Sequence, residues 1–339
     1  MIKIDGSEGE GGGQVLRNAV ALSLITGQPF QITNIRGKRP KPGLMRQHVT
    51  AIEAACVIGN AEIAGLAVGS TELTFTPGKV TPGDYHFAIG TAGSTSLVLQ
   101  TVLMPLIFAD APSRLVLEGG THNMMAPPFE FLDRAFLPLI NRMGPNVTAK
   151  LIRHGFYPRG GGRVEVEITP APLLRIDCLD RGALLTRSAT AFVAGLSGEI
   201  AEREIKEARK RLPDWPEDAF AIRTLSENVG PGNIVMIEAA YEHVIEISSG
   251  FVKLGASSES IAKDAARRLA GYMATDAFAG PYLADQLLLP FALAGGGQFT
   301  TVKPSQHSRT AAGIIAIFLG RQLEFVQQEA GEHLVTIGQ

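Results

Sequence analysis

The apolar runs of this 339-residue chain recur in one order three times, and that recurrence limits the available folds more than any other feature. In the first copy a helix-period run from Gln14 to Thr26 stops at Gly27-Gln28. The strand-like segment 30–35 follows, and a second amphipathic run extends from Gly43 to Ile58, ending near Gly59. The order returns with a helical run over 90–108, a strand over 114–119 and a helix over 127–144. It returns again with a helix over 282–297, a strand over 298–303 and a helix over 307–320. Each second helix precedes alternating strands such as RVEVEI, LEFVQQ and HLVTIG. The expected fold is α/β, of the α+β type, with three βαβαββ repeats forming a pseudo-threefold body. The third copy is interrupted between about Asp180 and Asp276 by a stretch with its own strand and helix pattern. Its helices, over 199–212 and 257–273, are far more charged than those of the repeats. The pattern predicts a body over 1–180 and 277–339 and a small inserted α/β domain over 181–276.

Hydrophobic residues make up 45% of the chain and charged residues 19%, the profile of a soluble α/β protein. The most apolar run, LVLQTVLMPLIFA, is too short for a membrane span and contains Gln100. The opening residues carry acids and glycines and no secretory pattern, so a cytoplasmic location is expected. Cys56 and Cys178 form no CxxC pair, which argues against a disulfide framework or a zinc knuckle. A net charge of −2 excludes the strongly basic surface of a protein that follows a long nucleic acid tract. A local excess exists, because Arg36, Lys38, Arg39, Lys41 and Arg46 fall within eleven residues. That cluster suits a grip on a short nucleic acid end, and equally a solvated basic loop.

Several positions have the residue types that phosphate chemistry needs. His307 stands at the start of a helix, where unpaired N–H groups and the helix dipole attract phosphates, and a neutral imidazole there can attack phosphorus. A histidine at a helix start is also an ordinary cap or packed residue. Tyr282, Asp285 and Gln286 open the preceding helix; the acid is placed to orient an imidazole, or simply to favour the dipole. The glycine-rich turn Glu8–Gly13 precedes the helix containing Arg17 and is suited to phosphate. It is neither a Walker A loop nor GxGxxG, since Gln14 takes the final position. Glu10 offers oxygen ligands to a divalent cation. Arg36, Arg39 and Arg46 present guanidinium forks, while Gln47 and His48 are expected to continue their helix toward solvent. His86, His122, His154, His243 and His333 show no metal-ligand spacing and are read as structural.

The segment Arg153–Gly162 reads His-Gly-x-x-Pro-x-Gly-Gly-Gly, and a glycine triplet just past a proline demands a special backbone path. This segment resembles the signature of the RNA 3′-terminal phosphate cyclase family. EGEGGGQVLR, IRGKRPKPGLMRQH, AGSTSLVLQTVLMP, EGGTHN-MMAPP, YLADQLLLP and the surroundings of His307 resemble the same family in the same order. The resemblance implies an ATP-dependent enzyme, of ligase type, acting on RNA 3′-phosphate ends. Its histidine takes AMP from ATP, passes it to the RNA 3′-phosphate, and the 2′-OH then closes a 2′,3′-cyclic phosphate. By position His307 would be the nucleophile, supported by Asp285, Arg17, Arg39 and Gln47. Gln100, Pro127, Tyr282, Asp285 and Gln286 would bind ATP, and Arg36, Arg39 and Arg46 would bind RNA or other phosphates. Glu10 would hold Mg or Mn. The chain departs from the family pattern at Arg159, where a small residue is usual, and at Met124-Met125. A silent, ribosome-assembly branch of the family lacks the histidine, and enolpyruvyl transferases share the architecture without needing it.

Overall fold

The structure, a computed structural model, describes residues 1–339 apart from 91, 253, 254, 330 and 339, with backbone alone at Glu227. The first sheet is built from β1 (Ile2–Asp5), α1 (Gly13–Thr26), β2 (Phe30–Thr33), α2 (Arg46–Gly59), β3 (Glu62–Ala64) and β4 (Leu73–Thr76). Strand β1 is parallel to β2, β2 antiparallel to β4, and β4 antiparallel to β3. The second comprises β5 (Asp84–Ala88), α3 (Thr95–Ile107), β6 (Ser113–Gly119), a π-helical stretch Phe131–Phe136 running into α4 (Leu137–Arg142), β7 (Asn146–Arg153) and β8 (Gly162–Thr169). Its order, β5-β6-β8-β7, repeats the pairing of the first.

The third sheet begins with β9 (Asp177–Cys178) and breaks off. The next elements are β10 (Leu184–Ala194), α5 (Glu199–Arg211), β11 (Phe220–Leu225), β12 (Gly232–Tyr241), β13 (Ile245–Phe251) and α6 (Ser258–Met273). These strands make a sheet of their own, β11-β10-β12-β13. The chain then completes the interrupted sheet with α7 (Pro281–Leu293), β14 (Gly297–Thr301), α8 (Gln306–Leu319), β15 (Leu323–Gln327) and β16 (His333–Ile337). The order β9-β14-β16-β15 matches the other two. Strand alternation accounts for the half-buried members: β8 reads Gly-Arg-Val-Glu-Val-Glu-Ile-Thr, and Val164, Val166 and Ile168 turn inward. Strand β12 is buried throughout its length, so its sequence carries an apolar run.

Helices α3 and α7 are apolar on nearly every face and pass through the interior. In α3 Gln100 alone is not buried. Phe30 is fully buried, stacked on Phe75 at 5.7 Å and edge-on to Phe318 of α8 at 6.0 Å, so it ties the first sheet to the last helix. The expected helix over 127–144 is not regular. Pro138 has no N–H to give the carbonyl of Arg134, and the N–H of Leu137 bonds the carbonyl of Leu132, five residues back. The glycine-rich signature also has a packing reason. A Cβ at Gly155 would lie 2.4 Å from the carbonyl oxygen of Gly119 and from the nitrogen of Gly162, so β6 and the two arms of the loop approach backbone to backbone.

Candidate active site

Helices α1, α3 and α7 converge on a cleft that opens to solvent. Polar groups enter from each helix: Gln14, Arg17 and Asn18 from α1, Gln100 from α3, and Asp285 and Gln286 from α7. Leu103, Met104, Leu289, Pro290 and Phe136 form the apolar remainder. The side-chain nitrogen of Gln100 donates to Oε1 of Gln286, tying α3 to α7 across the cleft.

His307 is set by the first turn of α8. The Ser305 hydroxyl accepts the N–H of Ser308 at 3.0 Å, capping the helix. It also donates to Oδ1 of Asp285 at 2.7 Å, and the Ser308 hydroxyl donates to the same oxygen. Asp285 therefore anchors the helix start through two serines. Burial raises its carboxyl pKa, and the hydrogen bonds from Ser308 and Ser305 oppose that rise.

The imidazole itself faces α1 and the glycine loop. Its Nδ1 lies 2.8 Å from Oε1 of Gln14 and also contacts Oε2 of Glu10. A carboxylate has only lone pairs to offer, so the ring proton belongs on Nδ1 and Nε2 keeps its lone pair. No described residue hydrogen-bonds Nε2. The acid beside the ring is thus Glu10, whereas the sequence pointed to Asp285 for that part. Gln14 had drawn notice only as the residue that breaks a glycine pattern, and its position after the glycines was the one available signal.

Glu10 is held from three sides. Its N–H donates to the Thr310 hydroxyl of α8 at 3.1 Å, its Oε1 pairs with Arg39, and its buried Oε2 faces Nδ1 of His307. A carboxylate oxygen has a second lone pair, which suits a hard divalent cation. Arg17 is half-buried at the cleft; burial lowers its pKa to about 10, opposed by the charge of Glu10, so it stays cationic at neutral pH. A Cβ on Gly13 would lie 2.4 Å from Nε2 of His48 and 3.3 Å from Nη1 of Arg17, which explains a glycine there.

His48 is a correction to the sequence reading. It is buried, and burial first, then Arg17 and Arg36, push its pKa down to about 3. Its Nδ1 accepts the N–H of Met45 at 3.1 Å and so fixes the start of α2. Arg46 and Gln47 follow from that helix start, Arg46 exposed and Gln47 half-buried. Arg36 spends one guanidinium nitrogen on its own loop, donating to the carbonyls of Lys41 at 2.7 Å and Gly43 at 2.9 Å. Tyr282 stands half-exposed on the first turn of α7 and Pro127 in the loop before the π-helical stretch; neither lines the cleft.

A second polar cluster lies apart. His122 and His154, read from sequence as structural, and Glu130 each bring a donor atom within 4.8 Å of the others. No sequence spacing announces it, because His154 lies beyond β7, away from the connection after β6 that carries His122 and Glu130.

The family model described as RNA 3′-terminal phosphate cyclase matches residues 8–325. The RNA 3′-terminal phosphate cyclase of Koribacter versatilis is 51% identical over 330 residues, covering 97% of this chain and 93% of the relative. That of Ralstonia nicotianae is 48% identical over 338 residues, covering 99% and 96%, and that of Ectopseudomonas mendocina 46% over 337 residues, covering 99% and 97%. With the family model matching residues 8–325 and relatives this similar over nearly the whole chain, the chain belongs to the RNA 3′-terminal phosphate cyclase family.

Proposed function

We propose that the chain closes RNA 3′-terminal phosphates to 2′,3′-cyclic phosphates at the expense of ATP, with His307 as the covalent carrier of AMP. The observation that carries the reading is the orientation of His307: its Nδ1 faces Gln14 and Glu10, so Nε2 presents a lone pair. In the first step Nε2 attacks the α-phosphorus of ATP, a P–N bond forms, and the bond to pyrophosphate breaks. The developing imidazolium is stabilised by the Glu10 carboxylate on Nδ1, as an acid stabilises the histidine of a hydrolase triad. In the second step an oxygen of the RNA 3′-phosphate attacks the AMP phosphorus, the P–N bond breaks, and RNA(3′)pp(5′)A leaves the histidine neutral. In the third the RNA 2′-OH attacks the 3′-phosphate, its proton departs to solvent or a nearby base, and AMP leaves.

The cleft supports the ATP part of the reading. Gln100 and Gln286 have amide groups of the kind that bond a base edge, and Leu103, Met104 and Phe136 supply an apolar wall. Arg17 and Arg39 supply positive charge near His307, and Arg46, exposed at the start of α2, makes no ion pair with any described residue. Glu10 would hold Mg or Mn through Oε2, and such an ion would neutralise charge on the departing pyrophosphate. Tyr282, Pro127, Gln47 and Arg36 retain parts in ATP or RNA contact only if their side chains turn toward the ligand. The division proposed is a body over 1–180 and 277–339 carrying this site, with 181–276 as a separate inserted unit. No helix among the described residues is long and apolar enough to cross a membrane, and the proposed setting is the cytoplasm.

The test is intact-protein mass after incubation with ATP and Mg, without RNA, for wild type and His307→Ala. The expected result is an acid-labile gain of one AMP on wild type alone. Folded wild type that gains nothing with either metal would point to a silent RNA-binding relative, and an adduct surviving in His307→Ala would move the nucleophile elsewhere.

A further inference from the structure

The cluster of His122, Glu130 and His154 takes no part in the reaction above. His122 follows β6, Glu130 stands where the π-helical stretch begins, and His154 follows β7. Nε2 of His122 lies 2.8 Å from Oε2 of Glu130. On its other side, Nδ1 of His122 lies 2.7 Å from the Thr121 hydroxyl, which accepts the N–H of Gly155 at 3.0 Å. The ring of His154 stacks on that of His122 with centroids 5.1 Å apart, and no described residue hydrogen-bonds its nitrogens. His122 is buried, while His154 and Glu130 are half-buried, so the group is sheltered without being sealed.

We propose that His122, Glu130 and His154 form a site for one divalent transition-metal ion of the zinc class, with water as the fourth ligand. Two imidazoles and one carboxylate are a donor set that zinc accepts. Tetrahedral zinc with bonds of about 2.0–2.1 Å needs donor atoms roughly 3.3–3.5 Å apart. The present separations, 4.8 Å at most, close to that range if the unbonded His154 ring turns. Thr121 is the outer support that metal-bound histidines require, fixing the tautomer of His122 from behind. Protons balance: without metal, Nε2–H of His122 donates to Glu130 and the Thr121 hydroxyl donates to Nδ1. With metal on Nε2, the one ring proton sits on Nδ1 and the Thr121 oxygen accepts it.

The site would join three parts of the chain. The loop carrying His122 meets the glycine signature through Gly155 and Phe156, and His154 lies 6.2 Å from the ring of Phe192 in β10. A Cβ on Gly232 of β12 would lie 2.1 Å from the Phe156 ring, so the signature loop is already pressed on that sheet. An ion here would fasten the two loops to each other beside the β10–β12 sheet.

The experiment strips full-length protein with a chelator and titrates it with zinc alone, without ATP or RNA, reading bound metal by native mass and by metal analysis. Cobalt(II) serves as the spectroscopic probe. The expected result is one tightly held equivalent and intense tetrahedral cobalt bands in wild type and in Glu10→Gln, both lost in His154→Ala and Glu130→Gln. Folding of the variants is checked by circular dichroism. If those variants fail to fold, Thr121→Val keeps the shape and should weaken affinity roughly tenfold to a hundredfold. Folded wild type that binds no zinc, uptake undiminished in folded His154→Ala, or uptake lost only in Glu10→Gln would each overturn the assignment.

Discussion

Glu246→Gln should make this protein more stable, and the gain should grow with pH. Glu246 projects from β13 into the interior, where its Oε2 accepts the N–H of Gly280, the residue that precedes α7. Burial raises its pKa to about 8, against an ordinary value of 4.5, with the Gly280 hydrogen bond opposing the rise. A raised folded value means that the group costs nothing below pH 4.5, where both states hold the proton. Between pH 4.5 and 8 the unfolded chain gains by ionising while the fold cannot, and each pH unit costs about 1.4 kcal/mol. At pH 7 the penalty is therefore about 3 kcal/mol, and at pH 5 under about 1 kcal/mol. Glutamine keeps the shape and an acceptor oxygen for Gly280, and never ionises. With an unfolding entropy near 2.1 cal/mol/K per residue over 339 residues, 3 kcal/mol corresponds to a rise in Tm of about 4 °C. Calorimetry of wild type and variant at pH 5, 6, 7 and 8 measures it. If instead Glu246 is a carboxylate stabilised by the N-terminus of α7, the variant loses about 1 kcal/mol, equally at every pH above 5. That outcome would refute the reasoning, because it would mean the helix end outweighs desolvation.

Glu10→Gln should slow gain of AMP by roughly 10²–10⁴-fold, the range for groups that position a proton in the transition state, read as the rate of mass increase with ATP. Its effect on stability should stay under about 1 kcal/mol, because the partner Arg39 is partly exposed. For RNA binding, Arg46→Ala should reduce the slope of log affinity against log salt by about 0.7, since its exposed guanidinium pairs with no described residue. Arg36→Ala should instead lower Tm, because its Nη1 bonds two carbonyls of its own loop. His48, held near 3 in the fold, contributes stability that is complete above pH 6.5 and falls away as pH drops toward 3. His48→Gln should flatten that decline by about 1.4 kcal/mol per pH unit between pH 6 and 4, measured by urea unfolding.

The architecture was legible because its signals are local. Helix ends stand at Gly27 and Gly320, strand alternation is written in Val164, Val166 and Ile168, and the mixed α+β character of the chain follows from those marks. The π-helical stretch was less legible, since Pro138 announces a lost hydrogen bond but not which register the helix takes instead. In the candidate site, resemblance singled out Glu10, Arg17, Gln100, Asp285 and His307. It left open which of these touch, and it passed over Gln14 and Phe136. His48 looked like a solvent-facing helix residue until packing against Gly13 buried it.

What the amino-acid sequence determined by itself is what short-range forces decide: where helices begin and end, which strand faces are apolar, and where glycine permits close approach. Tertiary structure decided which carboxylate serves which group. Asp285 holds the serines of α8 and Glu10 takes the His307 ring, although Asp285 is only 22 positions from His307 along the chain and Glu10 is 297. It also drew His154, after β7, to His122 and Glu130 on the connection after β6. The physical reason is the same in both cases. Contacts between distant residues depend on how α1, α3, α7 and α8 pack and on the pairing of β6, β7 and β8, and no local pattern carries that geometry.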